Sequence, residues 1–145
     1  MEKQDILKYE NREQLFRFLI DDFGLNKVEE KYDSEYFGNF YIILSTNEFS
    51  LRYVNDRSFI NIEISSNADS LKWYALSFIK DLIYNKDRIN TDERVLDNFT
   101  RIEELNSFLK KDFSQISELF NMQNYPNTKE RLDEGLNRQF KLRFP

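Results

Sequence analysis

Histidine and cysteine are both absent from the 145 residues of this chain, and glycine occurs only three times. Without imidazole or thiol the chain has neither the side chain that titrates near neutral pH nor the strongest natural nucleophile and soft metal ligand. That excludes Ser-His-Asp and Cys-His catalysis, Cys or His zinc sites, haem held by His or Cys, and thiol redox chemistry. Gly24, Gly38 and Gly135 are too few and too scattered to write a dinucleotide fingerprint or a phosphate loop. Long apolar runs are missing too: the longest, Phe40 to Leu44, is strand-sized and far from a membrane span. The start, Met1-Glu2-Lys3-Gln4-Asp5, lacks a basic stretch followed by an apolar one, so no export signal is expected and a cytoplasmic location is. The residue chemistry points to a globular domain that is not an enzyme and needs no cofactor.

What is present is charge and aromatic area. The length fits one domain, residues 1–145, which buries roughly 68–70% of its unfolded surface without disulfide or metal. Fourteen Phe, eight Tyr and one Trp predict a core heavy in rings. The formal charge of −5, from 21 basic and 26 acidic residues, argues against a nucleic-acid partner, which requires clustered Lys and Arg. Most of that excess lies early, since residues 1–38 carry six basic and ten acidic side chains. An acidic surface draws a basic partner, although modest negative charge also serves solubility.

Along the chain, Leu15, Phe16, Phe18, Leu19, Ile20 and Phe23 recur at three and four, predicting a helix over Asn11 to Phe23 that Gly24 closes. The charged stretch Leu25 to Gly38 reads as a helical turn and then a loop. Strands are expected at Asn39–Ser45, Phe49–Val54 and Phe59–Ser65, the last alternating Ile60, Ile62 and Ile64 with polar residues. Asn55-Asp56-Arg57-Ser58 has the chemistry of a hairpin turn, with Asp56 and Arg57 as turn formers or a local ion pair. Asp69 or Ser70 can cap a helix through Trp73, Leu76, Ile79, Leu82 and Ile83, placing Trp73-Tyr74 in the core. A tract capped by Thr91 carries Leu96, Phe99, Ile102, Leu105, Leu109, Phe113, Ile116 and Phe120. It forms either a coiled-coil seam or one or two helices across a sheet. Asn127 or Thr128 starts a last helix through Leu132, Leu136 and Phe140. The expected architecture is an α+β domain: an antiparallel meander of about three strands, helices on one face, an N-terminal helix and a C-terminal helical region.

Candidate chemistry is limited to carboxylates. The pairs Asp21-Asp22, Glu29-Glu30 and Glu103-Glu104 are neighbours in sequence, and on a helix neighbours diverge by about 100°. They make no shared site, and no catalytic or metal-binding residue is assigned. The segment from Glu29 to Tyr36 is different, because it interleaves Glu29, Glu30, Asp33 and Glu35 with Tyr32 and Tyr36. Tyrosine gives rigid contact area and carboxylates pair with Lys or Arg across an interface, so these six residues are the candidate partner-binding set. A solvated loop whose tyrosines close the edge of the core is the competing reading.

The order of features also carries a likeness. Leu51-Arg52-Tyr53-Val54-Asn55-Asp56-Arg57 leads to Ile60-Asn61-Ile62-Glu63-Ile64; Trp73-Tyr74-Ala75-Leu76 follows, and Glu118-Leu119-Phe120 precedes an Arg-containing tail ending at Pro145. Over residues 36 to 145 this resembles the small immunity proteins encoded beside bacterial polymorphic toxins. The resemblance implies a protein that neutralises a cognate toxin by stoichiometric association, the toxin being basic and in many cases a nuclease. It supplies no catalytic residues and no binding surface. The runner-up is a self-associating structural or adaptor domain using the Leu96 to Phe120 stripe as its seam, so both monomer and homodimer stay open.

Overall fold

A computed structural model of the chain describes residues 6–144. The segment Met1 to Asp5, read above for an export signal, and Pro145 lie outside the described residues. A short 3-10 turn, Tyr9–Asn11, precedes helix α1, Glu13–Phe23. Gly24 ends α1 in the left-handed region (φ 73°), where an absent Cβ removes the steric cost, and the Leu25 N–H turns back to Leu19 O at 3.0 Å. Strands β1 (Asn26–Asp33), β2 (Asn39–Ser45), β3 (Phe49–Asp56), β4 (Phe59–Ser66) and β5 (Tyr74–Ala75) follow. Helices α2 (Leu76–Tyr84), α3 (Asn98–Phe120) and α4 (Tyr125–Arg143) complete the chain.

The sheet is a five-stranded antiparallel meander in the order β1-β2-β3-β4-β5, wider than the three strands expected. Strand alternation decides its two faces. Phe40, Ile42 and Leu44, then Phe49, Leu51 and Tyr53, then Ile60, Ile62 and Ile64 are buried on one side, and the helices cover them. Phe16 of α1 meets Tyr53, and Phe113 and Phe120 of α3 meet Phe49. The Tyr53 hydroxyl donates to Asn106 Oδ1 at 2.6 Å, and Asn106 Nδ2 donates to Leu15 O at 2.9 Å, so one amide ties β3, α3 and α1 together.

Several expectations are corrected. Residues 26–33 form a strand where a helical turn and loop were expected. This edge strand pairs only with β2 and is exposed along most of its length, so it needs no apolar alternation. Helix α2 starts at Leu76 and not near Asp69, because Tyr74 and Ala75 first pair with Ile64 and Glu63 of β4. Helix α3 is capped by Asp97, whose Oδ1 accepts from Thr100 N–H at 2.8 Å, and not by Thr91. Leu96 therefore precedes the helix, which is interrupted at Asp112 (φ −114°, ψ 19°). Its stripe of Ile102, Leu105, Leu109, Ile116 and Phe120 is buried in this chain's own core and presents no seam. Helix α4 begins at Tyr125 with Pro126 in its first turn, where the missing N–H costs nothing, rather than at Asn127 or Thr128. Its apolar stripe runs off the body: Leu132 is buried, but Phe140 is 61% exposed.

Arg101 of α3 closes the part of β4 that the two-residue β5 leaves uncovered. Its guanidinium, on a residue only 6% exposed, donates to Ile60 O, Glu93 O, Leu96 O and Asn98 Oδ1 and lies over the Phe59 ring. Asn98 Oδ1 accepts from the Ile60 N–H at 3.0 Å. Side chains thus satisfy a strand edge that would otherwise offer free backbone groups to another chain.

Candidate partner-binding face

The six residues proposed from sequence do not form one patch, because strand alternation divides them. Glu30 and Tyr32 pair with Ile42 and Phe40 and lie on the helix side. There Glu30 accepts from the Tyr9 hydroxyl at 2.7 Å, from Lys27 Nζ at 3.1 Å and from Arg12 Nε. Burial raises the Glu30 carboxyl, but these donors outweigh it and hold the pKa below its ordinary value. Tyr32 stacks flat on Tyr9 with ring centres 3.9 Å apart. Both residues fasten β1 to the turn before α1.

Glu29 and Asp33 pair with Ile43 and Asn39 on the opposite face, beside Lys31. Among the described residues no helix covers this face. The Glu29 carboxylate accepts from the Tyr41 hydroxyl, a bond that raises the phenol's pKa. Asp33 Oδ1 accepts from Glu35 N–H at 3.1 Å, shaping the β1–β2 turn. Glu35 and Tyr36 lie in that turn, and Tyr36 is 63% exposed.

The uncovered face carries an open groove of about 560 Å³, lined by Lys31, Asp33, Tyr36, Phe37, Arg52 and Arg57 among others. Its floor is a cross-strand assembly. Arg52 Nε donates to Glu63 Oε1 at 2.7 Å, and the Arg52 guanidinium stacks over the Trp73 ring at 4.2 Å. Trp73 is therefore half-buried against the open face and not in the core, as its sequence position suggested. Val54 adds an apolar patch beside this pair. The lining is charge-balanced, Lys31, Arg52 and Arg57 against Asp33, Asp56 and Glu63, so the acidic excess of the first quarter does not reappear here.

Two turns close one end of the groove. Phe37, absent from the sequence-derived set, is 76% exposed in the β1–β2 turn. Arg57 sits at the β3–β4 tip, where Asp56 pairs with Phe59; among the described residues Asp56 and Arg57 form no ion pair with each other. The Arg57 N–H donates to Asn39 Oδ1 at 2.8 Å, and Asn55 Nδ2 donates to Gly38 O at 3.3 Å, binding the two turns side by side. No sequence signal singles out Phe37: Phe23 also precedes a left-handed glycine, yet it packs against the core.

Buried titratable groups elsewhere serve the fold. Burial raises the Glu93 carboxyl although it accepts from Ser77 Oγ (2.9 Å) and Asn61 Nδ2 (2.7 Å). Burial likewise raises Asp81, which accepts from Asn85 Nδ2 and Asn90 N–H. Both anchor the segment between α2 and α3. Among the described residues no group of three or more carboxylates is placed to hold a metal ion, and no helix is long and apolar enough to cross a membrane. Comparison of the chain with protein-family profiles, curated proteins and solved structures gives no match.

Proposed function

We propose that this chain is an immunity-type protein that binds one cognate toxin domain in an equimolar complex and silences it without chemistry of its own. The observation that carries the reading is the helix-free sheet face. The sequence features behind the family likeness converge on it: Arg52 and Val54 project there, Arg57 stands at its end, and Trp73 supports Arg52. The other half of those motifs, Leu51, Tyr53, Tyr74 and Leu76, is buried and builds the fold. A surface with a stacked Arg-Trp pair and exposed aromatics has the composition of an interface centre, where Arg, Trp and Tyr carry most binding energy.

The reading expects a gene immediately upstream that encodes a large secreted protein, and the test is co-expression with the carboxy-terminal domain of that protein; a locus without such a gene counts against the reading. The reading expects loss of toxicity and an equimolar complex that survives purification at low salt. Toxicity unchanged by this chain, with no complex, refutes it. A second reading, self-association, draws on Phe140, Leu142 and Phe144, which α4 exposes at its end. Sedimentation showing a monomer at every concentration removes it.

A further inference from the structure

The two turns that end the open face are built from residues that backbone energetics disfavours there. Phe37 (φ 59°) and Gly38 (φ 67°) are the central pair of a turn closed by Asn39 N–H to Tyr36 O at 3.0 Å. Arg57 (φ 53°) and Ser58 (φ 69°) are the central pair of the β3–β4 hairpin. Two consecutive left-handed residues define the mirror-image turn that suits twisted strands, and Asn-Gly is its favourable pair. Glycine occupies only one of these four positions. Phe, Arg and Ser are each held where a Cβ crowds the backbone, at a cost to the free protein.

Two of the side chains retained at that cost find no partner among the described residues of the chain's own fold. Phe37 is 76% exposed. Neither the Arg57 guanidinium nor the Lys31 ammonium has an ion-pair partner among the described residues, while Arg52 beside them is paired with Glu63. The bonds from Arg57 N–H to Asn39 and from Asn55 to Gly38 fix the two turns, and so the Cα positions of Phe37 and Arg57, relative to each other before any partner arrives. Binding then has only the two side chains, and not the turn backbone, left to order.

Resting on the function proposed above, we propose that Phe37 and Arg57 are the anchor of the docking surface. Phe37 enters an apolar pocket of the partner protein, and Arg57 pairs with a carboxylate on the rim of that pocket. A ring this exposed offers its area to another protein surface. The guanidinium fork selects a carboxylate through paired hydrogen bonds. The partner thus carries a carboxylate opposite Arg57, on a face whose own lining is charge-balanced, with Asp33 and Asp56 at the same end.

The upstream-encoded domain is the probe, titrated calorimetrically into wild-type protein, Phe37→Gly, the double variant Arg57→Asn with Ser58→Gly, and a helix-side control, Glu134→Ala. Both turn variants remove an anchor and install a residue the turn prefers. They are expected to bind at least roughly tenfold more weakly while their thermal midpoints stay at or above that of the wild type; the control binds as the wild type does. Turn variants that bind within about twofold of wild type, or midpoints that fall below it, overturn the inference and leave the functional reading standing. A wild-type protein that does not bind the domain refutes both, so the two failures are told apart by the wild-type titration.

Discussion

Replacing Arg101 by methionine tests how the edge of the sheet is closed, because this side chain, together with the Glu93–Asn61 bond, pins the segment 85–97 to the β4 edge. The substitution keeps apolar bulk and removes every donor. Glu93 O, Leu96 O, Ile60 O and Asn98 Oδ1 then lose a charged partner, and the stack on Phe59 is weakened. Each buried acceptor left unpaired costs about 1–3 kcal/mol, but the segment 85–97 can peel away and rehydrate its carbonyls, so the costs do not add. A net loss of about 3–4 kcal/mol is expected, a large part of the roughly 5–15 kcal/mol typical of a domain. In urea denaturation followed by circular dichroism, the midpoint should drop by about 2 M for an ordinary slope. Hydrogen exchange should accelerate in residues 85–97 and at Ile60. Arg101→Lys, which retains charge but not the fork, should recover only part of the loss. A destabilisation below about 1 kcal/mol with normal exchange at Ile60 would refute the reasoning.

Other expectations follow from particular groups. The folded-state pKa of Glu30 lies below its ordinary value of 4.5, so its contribution is present above that pH and lost as pH falls through the folded pKa; Glu30→Gln should flatten this part of the acid limb of a stability-versus-pH curve. Glu93 is raised, so the sign reverses: its ionisation opposes folding as pH rises through the folded value, and Glu93→Gln should be at least as stable as wild type near neutrality, with the gap closing below about pH 4.5. Gly135→Ala should destabilise α4 by about 1–3 kcal/mol by thermal melting, although alanine is the better helix former, because a Cβ there would sit 2.6 Å from Ile89 Cδ1 and 3.2 Å from Asp87 O. A neutral or stabilising result would mean that Ile89 moves aside.

The elements legible in sequence were those with one buried face. Ile60, Ile62 and Ile64 alternate, and Leu15, Phe16 and Leu19 repeat at helical spacing, because each segment sits between core and water. Strand β1 was missed for the converse reason: Lys27, Glu29 and Lys31 face solvent on an edge, and only Val28 and Tyr32 hint at extended backbone. The candidate site suffered from the same gap. Read as a loop, residues 29–36 looked like one acidic patch; as a strand they point to two faces, with Glu30 bound to Arg12 and Lys27 and Glu29 on the other side. Trp73 was misplaced because its neighbour Tyr74 joins the sheet, an outcome of long-range pairing that no local period records.

The most direct test of the central claim is a hydrogen-exchange footprint of the wild-type chain with and without the upstream-encoded domain. Association through the open face predicts slowed exchange at residues 31–41 and 52–58, with α3 and α4 unchanged. Protection confined to the helices, or none anywhere, would contradict it.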